Sequence, residues 1–180
     1  MNIEWEPMFH LPKWSLNIKD FKKKKEQLTD LLGEYPEKPN PFGNFLTNRA
    51  ACEDDGGRML IEHFILILQE ELKEVAQAVQ KHVAVTSVWS ASYPKNTYHP
   101  VHNHGSVGLS GIIYLDYEPK HPQTIFVCPW NNWITDETLL SPPKVEEGQL
   151  VLVPSMLLHY TEPNLLSKPK RIVGFDVKLS

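Results

Sequence analysis

HNHGSVGLSGIIYL, residues 102–115, sets two imidazoles directly ahead of a β-branched, aromatic run. With His99 just before it, this stretch holds three of the chain's eight histidines within six residues. In an extended segment, residues two apart point to the same side. His102 and His104 therefore offer two rings to one side of a strand end, a ready metal-ligand pair. The run that follows, GLSGIIYLDY at 108–117, has the composition of a strand.

Working outward, the segments 83–93, 124–128, 149–154 and 171–179 have the same texture, separated by Gly, Pro and Asn. Several short strands with turn signals predict a mainly β, α+β fold, a sandwich or barrel with helices packed outside one sheet. The helices come first. Asp20 is placed to cap a helix over FKKKKEQLTDLL, with Gly33 at its end. Residues 33–57, dense in Pro, Gly and Asn, read as a long loop suited to a lid or a partner surface. A second helix is expected over about 58–82, with Met59, Phe64, Leu68, Leu72, Val75 and Val79 on one face. Residues 1–19 hold a short strand or wrap over the core. The whole is expected to be one domain, residues 1–180, with helical support over 1–82 and a β-barrel over 83–180.

A metal needs a third ligand, and His159 is the best candidate. It ends the strand-like run LVLVPSMLLH and so sits at a strand end inside a barrel mouth. An HxH in a loop is often only a polar surface feature, and a histidine after an apolar run is often a core residue. The two together point to a metal. His99 joins the set if Pro100 bends the segment; His10, His63, His82 and His121 are expected to carry no chemistry. Arg171 opens the last strand. A hairpin centred near Leu165 would set it opposite His159, where a guanidinium suits a carboxylate ligand. The competing reading is a surface ion pair.

The formal net charge is -4, which argues against a general nucleic-acid binder. Lys22 to Lys25 read as a solvated helix face. Two cysteines outside any CxxC suit a reducing cytoplasm, the start of the chain does not resemble a signal peptide, and FILIL at 64–68 is too short to span a bilayer.

From about Val88 to the C-terminus the chain resembles the iron(II)- and 2-oxoglutarate-dependent dioxygenases, through HNH at 102–104, SGIIYL at 110–115, GQLVLVPSMLLH at 148–159 and RIVGF at 171–175. It looks most like a small HxH subgroup found in bacteria and their phages. The resemblance implies a double-stranded β-helix, a jelly-roll or cupin-like barrel, with Fe(II) at the open end held by His102, His104 and His159. It implies 2-oxoglutarate as cosubstrate, with Arg171 on its far carboxylate and Tyr114 beside it. It implies a hydroxylase that couples 2-oxoglutarate decarboxylation to oxidation of a C–H bond, in the cytoplasm (a host's, if phage-encoded). The substrate class is a small molecule or a peptide, and a homodimer is left open.

One departure stands out. The family pattern carries Asp or Glu where this chain has His104, so the site is one negative charge short; Asp116 and Glu162 are the nearest carboxylates. Ser110 and Ser155 are further polar candidates. Trp130 and Trp133 either rim the substrate mouth or pack under a loop, and Asn103 is expected to order its loop. Two other readings remain: a cupin-like three-histidine metal protein without oxygenase chemistry, and a jelly-roll binding module without metal.

Overall fold

A computed structural model describes residues 11–52 and 57–180; His10 lies outside them. The elements are β1 (Trp14–Asn17), α1 (Phe21–Gly33), β2 (Lys38–Pro39), β3 (Leu46–Thr47), α2 (Arg49–Cys52), α3 (Gly57–Ile67) and α4 (Gln69–Val79). Then come β4 (Val83–Tyr93), β5 (His99–His102), β6 (Leu109–Asp116), β7 (Thr124–Asn131), β8 (Thr138–Ser141), β9 (Gln149–Pro154), β10 (His159–Thr161) and β11 (Lys170–Leu179).

The strands form two antiparallel sheets. The larger runs β1-β9-β6-β11-β4-β3-β2 and the smaller β5-β10-β7-β8. Side chains alternate across the larger sheet, as the pleat requires. Val173, Phe175 and Val177 of β11, Leu109 and Ile113 of β6, and Leu150 and Leu152 of β9 join Leu28, Leu60 and Phe64 in a core under the helices. Ile172, Ile112, Tyr114, Val151 and Val153 face the other way, into a second core with Phe126 and Leu157 from the smaller-sheet side. This is the double-stranded β-helix, with helices covering one face of the larger sheet.

Several local expectations shift. The helix over 58–82 is two helices broken at Leu68, where φ is -109° and ψ is 22°. The backbone bonds Leu68 N–H to Phe64 O (3.1 Å) and Leu72 N–H to Leu68 O (2.9 Å) still span the break. Gln80, not a glycine, ends α4 in the left-handed region at φ 53°. Asp20 precedes α1 but makes no side-chain cap. The 33–57 segment is not a plain loop: β3 pairs with Ser92 and Ala91 of β4, and α2 follows at once. The helical first part of the chain therefore also lengthens the larger sheet.

The decisive topological difference lies at the C-terminus. β10 pairs with β5 and β7 in the smaller sheet, while β11 pairs with β4 and β6 in the larger. His159 and Arg171 are thus not partners across a hairpin; the chain changes sheets between them.

Candidate metal centre

β5 and β10 run side by side with His102 directly opposite His159. The chain leaves β5 extended enough for His104 to turn back to the same side, its backbone N–H donating to Ser155 O at 2.9 Å. The ligand atoms of His102, His104 and His159 lie within 4.8 Å of one another, the convergence a shared cation needs. Each ring is oriented through Nδ1. His102 Nδ1 meets Pro100 O at 2.8 Å, His159 Nδ1 meets Leu157 O at 2.9 Å, and His104 Nδ1 meets Asp176 Oδ1 at 3.0 Å. A carbonyl or carboxylate only accepts, so each Nδ1 donates a proton to it, and Nε2 is the nitrogen each ring has left to turn to a metal. Burial, with the neighbouring imidazoles, lowers His102 to about 4 and His159 to about 3, so both are neutral at pH 7.

His99 does not join the converging set. Its ring stacks on His102 with centroids 3.7 Å apart and planes 15° apart, and its Nδ1 lies 3.2 Å from the Tyr93 hydroxyl. The register shift between β5 and β10 leaves His99 stacked on His102 and not turned to the centre.

Asp176 is the residue that sequence reasoning missed. It sits inward on β11, opposite Ser87 of β4 and Ser110 of β6. Ser110 Oγ donates to its Oδ1 at 2.7 Å and Ser87 Oγ to its Oδ2 at 3.0 Å, while an Arg49 nitrogen lies 3.6 Å away. Burial alone would raise its pKa, but the bonds from His104, Ser110 and Ser87 outweigh that and hold it below the usual value. Trp89 stacks on His104 at 5.2 Å, and the Arg49 guanidinium lies over the indole at 4.2 Å. Gly174 makes room for that indole: a Cβ there would lie 2.4 Å from a Trp89 ring atom.

Arg171 lies on the other face of the larger sheet. With Val173 and Phe175 it shares the helix-side parity, and it is bound by Asp116, which also holds Lys25 at 2.7 Å. The surface ion pair, set aside in the sequence, is what the structure has. The residue before it points inward. Lys170 is fully buried, with Nζ 2.9 Å from Pro122 O and 5.2, 5.7 and 5.9 Å from the ring centres of Tyr93, Tyr114 and Tyr117. Burial lowers its pKa to about 7, and among the described residues no carboxylate offsets that. Tyr93 links the two places, its ring under the ammonium and its hydroxyl on His99.

Tyr114 is inward and fully buried. Its hydroxyl and that of Thr124 are buried without a hydrogen-bond partner among the described residues. The two are near neighbours, close enough for Thr124 to pull the Tyr114 pKa slightly back from the rise that burial causes, though not in bonding geometry. Buried polar groups normally find partners. A buried ammonium without an anion, beside two unsatisfied hydroxyls, fits a bound carboxylate.

The remaining candidates have other work. Ser110 is committed to Asp176 and to the Ser155 hydroxyl at 3.0 Å. Asp116 is held by Arg171 and Lys25, and Glu162 is exposed. Trp133 is 91% exposed at the β7–β8 turn, so it is not packed under a loop. Asn103 accepts from Gly105 N–H at 3.4 Å, ordering its turn. His121 is buried as a structural bridge between Glu118 N–H and Lys168 O.

Residues 87–176 match the family model described as "Putative 2OG-Fe(II) oxygenase", half of the chain. The chain belongs to the 2OG-Fe(II) oxygenase family. The matched segment opens at Ser87 and closes at Asp176, and it contains all three converging histidines and Lys170. No curated protein matched this oxygenase in sequence. Solved structures share its fold. HygX from Streptomyces hygroscopicus, a structure with nickel and 2-oxoglutarate bound, is 12% identical with TM-score 0.66, over 93% of this chain and 83% of that one. A Pseudomonas putida prolyl-4-hydroxylase is 12% identical with TM-score 0.60, over 92% of each chain. AviO1 from Streptomyces viridochromogenes Tue57 is 19% identical with TM-score 0.58, over 89% of this chain and 83% of that one.

Proposed function

We propose that this oxygenase is an Fe(II)- and 2-oxoglutarate-dependent hydroxylase in which His102, His104 and His159 hold the metal and Lys170, with Tyr114 and Thr124, holds the far carboxylate of 2-oxoglutarate. The observation that carries this is the pairing of two sites inside one barrel: three converging imidazoles, and a buried ammonium with no carboxylate partner among the described residues. When bound, iron and 2-oxoglutarate supply the oxidation: 2-oxoglutarate, O2 and R–H yield succinate, CO2 and R–OH.

The chain's own residues do the rest. Backbone carbonyls and Asp176 hold the three rings by Nδ1, so that Nε2 of each is turned to the cation. Lys170 fixes one end of the cosubstrate by charge, and its apolar and tyrosine surroundings keep water from competing. Substrate enters through a cleft of about 590 Å³ beside the metal centre, lined by Lys38, Asn40, Phe42, Arg49, His99 and His102. Its volume suits a small molecule or a peptide side chain. Neither Cys52 nor Cys128 is in a disulfide, which supports a cytoplasmic setting; among the described residues no helix is long and apolar enough to cross a membrane.

The test is incubation of the full chain with Fe(II), ascorbate and 2-oxoglutarate. Succinate release, abolished by His159→Ala, is expected. Tight metal binding with neither 2-oxoglutarate binding nor succinate would overturn the proposal in favour of a metal-binding barrel without oxygenase chemistry.

A further inference from the structure

A site of three neutral imidazoles brings no negative charge to a dication, whereas two histidines and a carboxylate bring one. In this chain the missing charge lies one layer further out. Asp176 meets His104 Nδ1 with both oxygens, at 3.0 and 3.3 Å. The other two rings lean only on neutral acceptors, Pro100 O and Leu157 O. The asymmetry falls on the position where the family pattern has its carboxylate.

Asp176 is not there by accident of a flexible chain. It occupies the central strand of the larger sheet, and its register partners on both sides, Ser87 and Ser110, each give it a hydroxyl. Its side chain is 15% exposed. Arg49 is the competing partner, but at 3.6 Å it is further than any of these groups, and its guanidinium lies over Trp89. The carboxylate is thus held in place by four groups, with His104 among the closest.

We propose that Asp176 is a positioning residue for the metal centre: it locks His104 with Nδ1 protonated and Nε2 toward the metal, and lends it the negative charge that a carboxylate ligand would have supplied. His104 then has a charged partner that the other two ligands lack. The centre is tuned to a first-row divalent cation although its three ligands are neutral. This rests on the three histidines as ligands, not on the turnover of 2-oxoglutarate.

The experiment uses the full chain and two readouts without 2-oxoglutarate. In the metal-free protein labelled with nitrogen-15 at histidine, long-range proton–nitrogen spectra report the tautomer of each ring. His104 is expected as the Nδ1–H form. Competition against a chromophoric chelator then gives the affinity for Fe(II), or Co(II) in its place. Asp176→Asn is expected to weaken binding about 10- to 100-fold, the usual cost of removing such a partner, and Asp176→Glu to recover part of it. Ser87→Ala, which loosens the carboxylate without removing its charge, is expected to cost less than Asp176→Asn. An Nε2–H tautomer in the wild-type chain overturns the proposal without any variant having to fold. So does a folded Asp176→Asn that binds either metal within twofold of wild type. Loss of metal affinity in Asp176→Asn with no turnover in wild type would keep this inference and sink the oxygenase reading.

Discussion

Lys170→Met separates what the two neighbouring basic residues do. The folded chain holds Lys170 at about 7 against an ordinary value of 10.5. That depression is worth on the order of 5 kcal/mol of burial cost at ~1.36 kcal/mol per unit. The folded state binds fewer protons than the unfolded state between those two values. Stability therefore rises with pH across that window, and the penalty is full below about pH 7. Lys170→Met removes the penalty and is expected to stabilise the metal-free chain by ~1 to ~4 kcal/mol at pH 6, since an apolar replacement of a buried charge often does. It removes the carboxylate's charged partner as well. A hydrogen bond to a charged group contributes ~1.5–3 kcal/mol, so 2-oxoglutarate affinity should fall about 10- to 150-fold. The wild-type chain adds a signature the variant lacks. Binding a carboxylate holds Lys170 protonated, so proton uptake on binding should grow from about 0.1 at pH 6 to about 0.9 at pH 8. Calorimetry of 2-oxoglutarate binding in two buffers of different ionisation enthalpy reads this directly. Undiminished affinity in Lys170→Met, or uptake that does not change with pH, refutes the assignment.

Arg171→Met is expected to leave 2-oxoglutarate affinity within twofold, because its guanidinium is held by Asp116 on the helix side of the sheet; isothermal titration checks this. Gly174→Ala forces the Trp89 indole off His104, given the 2.4 Å approach, and should cost ~1–3 kcal/mol of stability together with metal affinity, read by denaturant melts and chelator competition. Phe175→Ala, at a fully buried ring 5.1 Å from Phe64, should cost ~3–5 kcal/mol in the same melts while leaving the histidine tautomers unchanged.

The convergence of His102, His104 and His159 was legible because parity and spacing suffice for it. Two histidines two apart share a side in any extended segment, and a strand end is a natural place for a third. The buried cation was not legible. Lys170 and Arg171 are adjacent, and which one faces inward depends on where β11 starts and on the bulge between Arg171 and Ile172. General charge chemistry favoured the arginine. The alternation of Val173, Phe175 and Val177 toward the helices carried the opposite signal, because Arg171 shares their parity. Asp176 left a hint of its own: a carboxylate in the middle of an apolar strand needs a partner. No local pattern marks β5 or β8. β5 contains a proline and two histidines, β8 is exposed along its length, and only pairing with their neighbours makes them strands.

Diffraction at the iron absorption edge, from anaerobic crystals grown with Fe(II) and 2-oxoglutarate, tests the centre most directly. One iron peak bounded by Nε2 of His102, His104 and His159, with no protein carboxylate in contact and the far end of 2-oxoglutarate on Lys170 Nζ, is the result expected. Iron elsewhere, the three rings aimed apart, or the cosubstrate carried by Arg171 would contradict it.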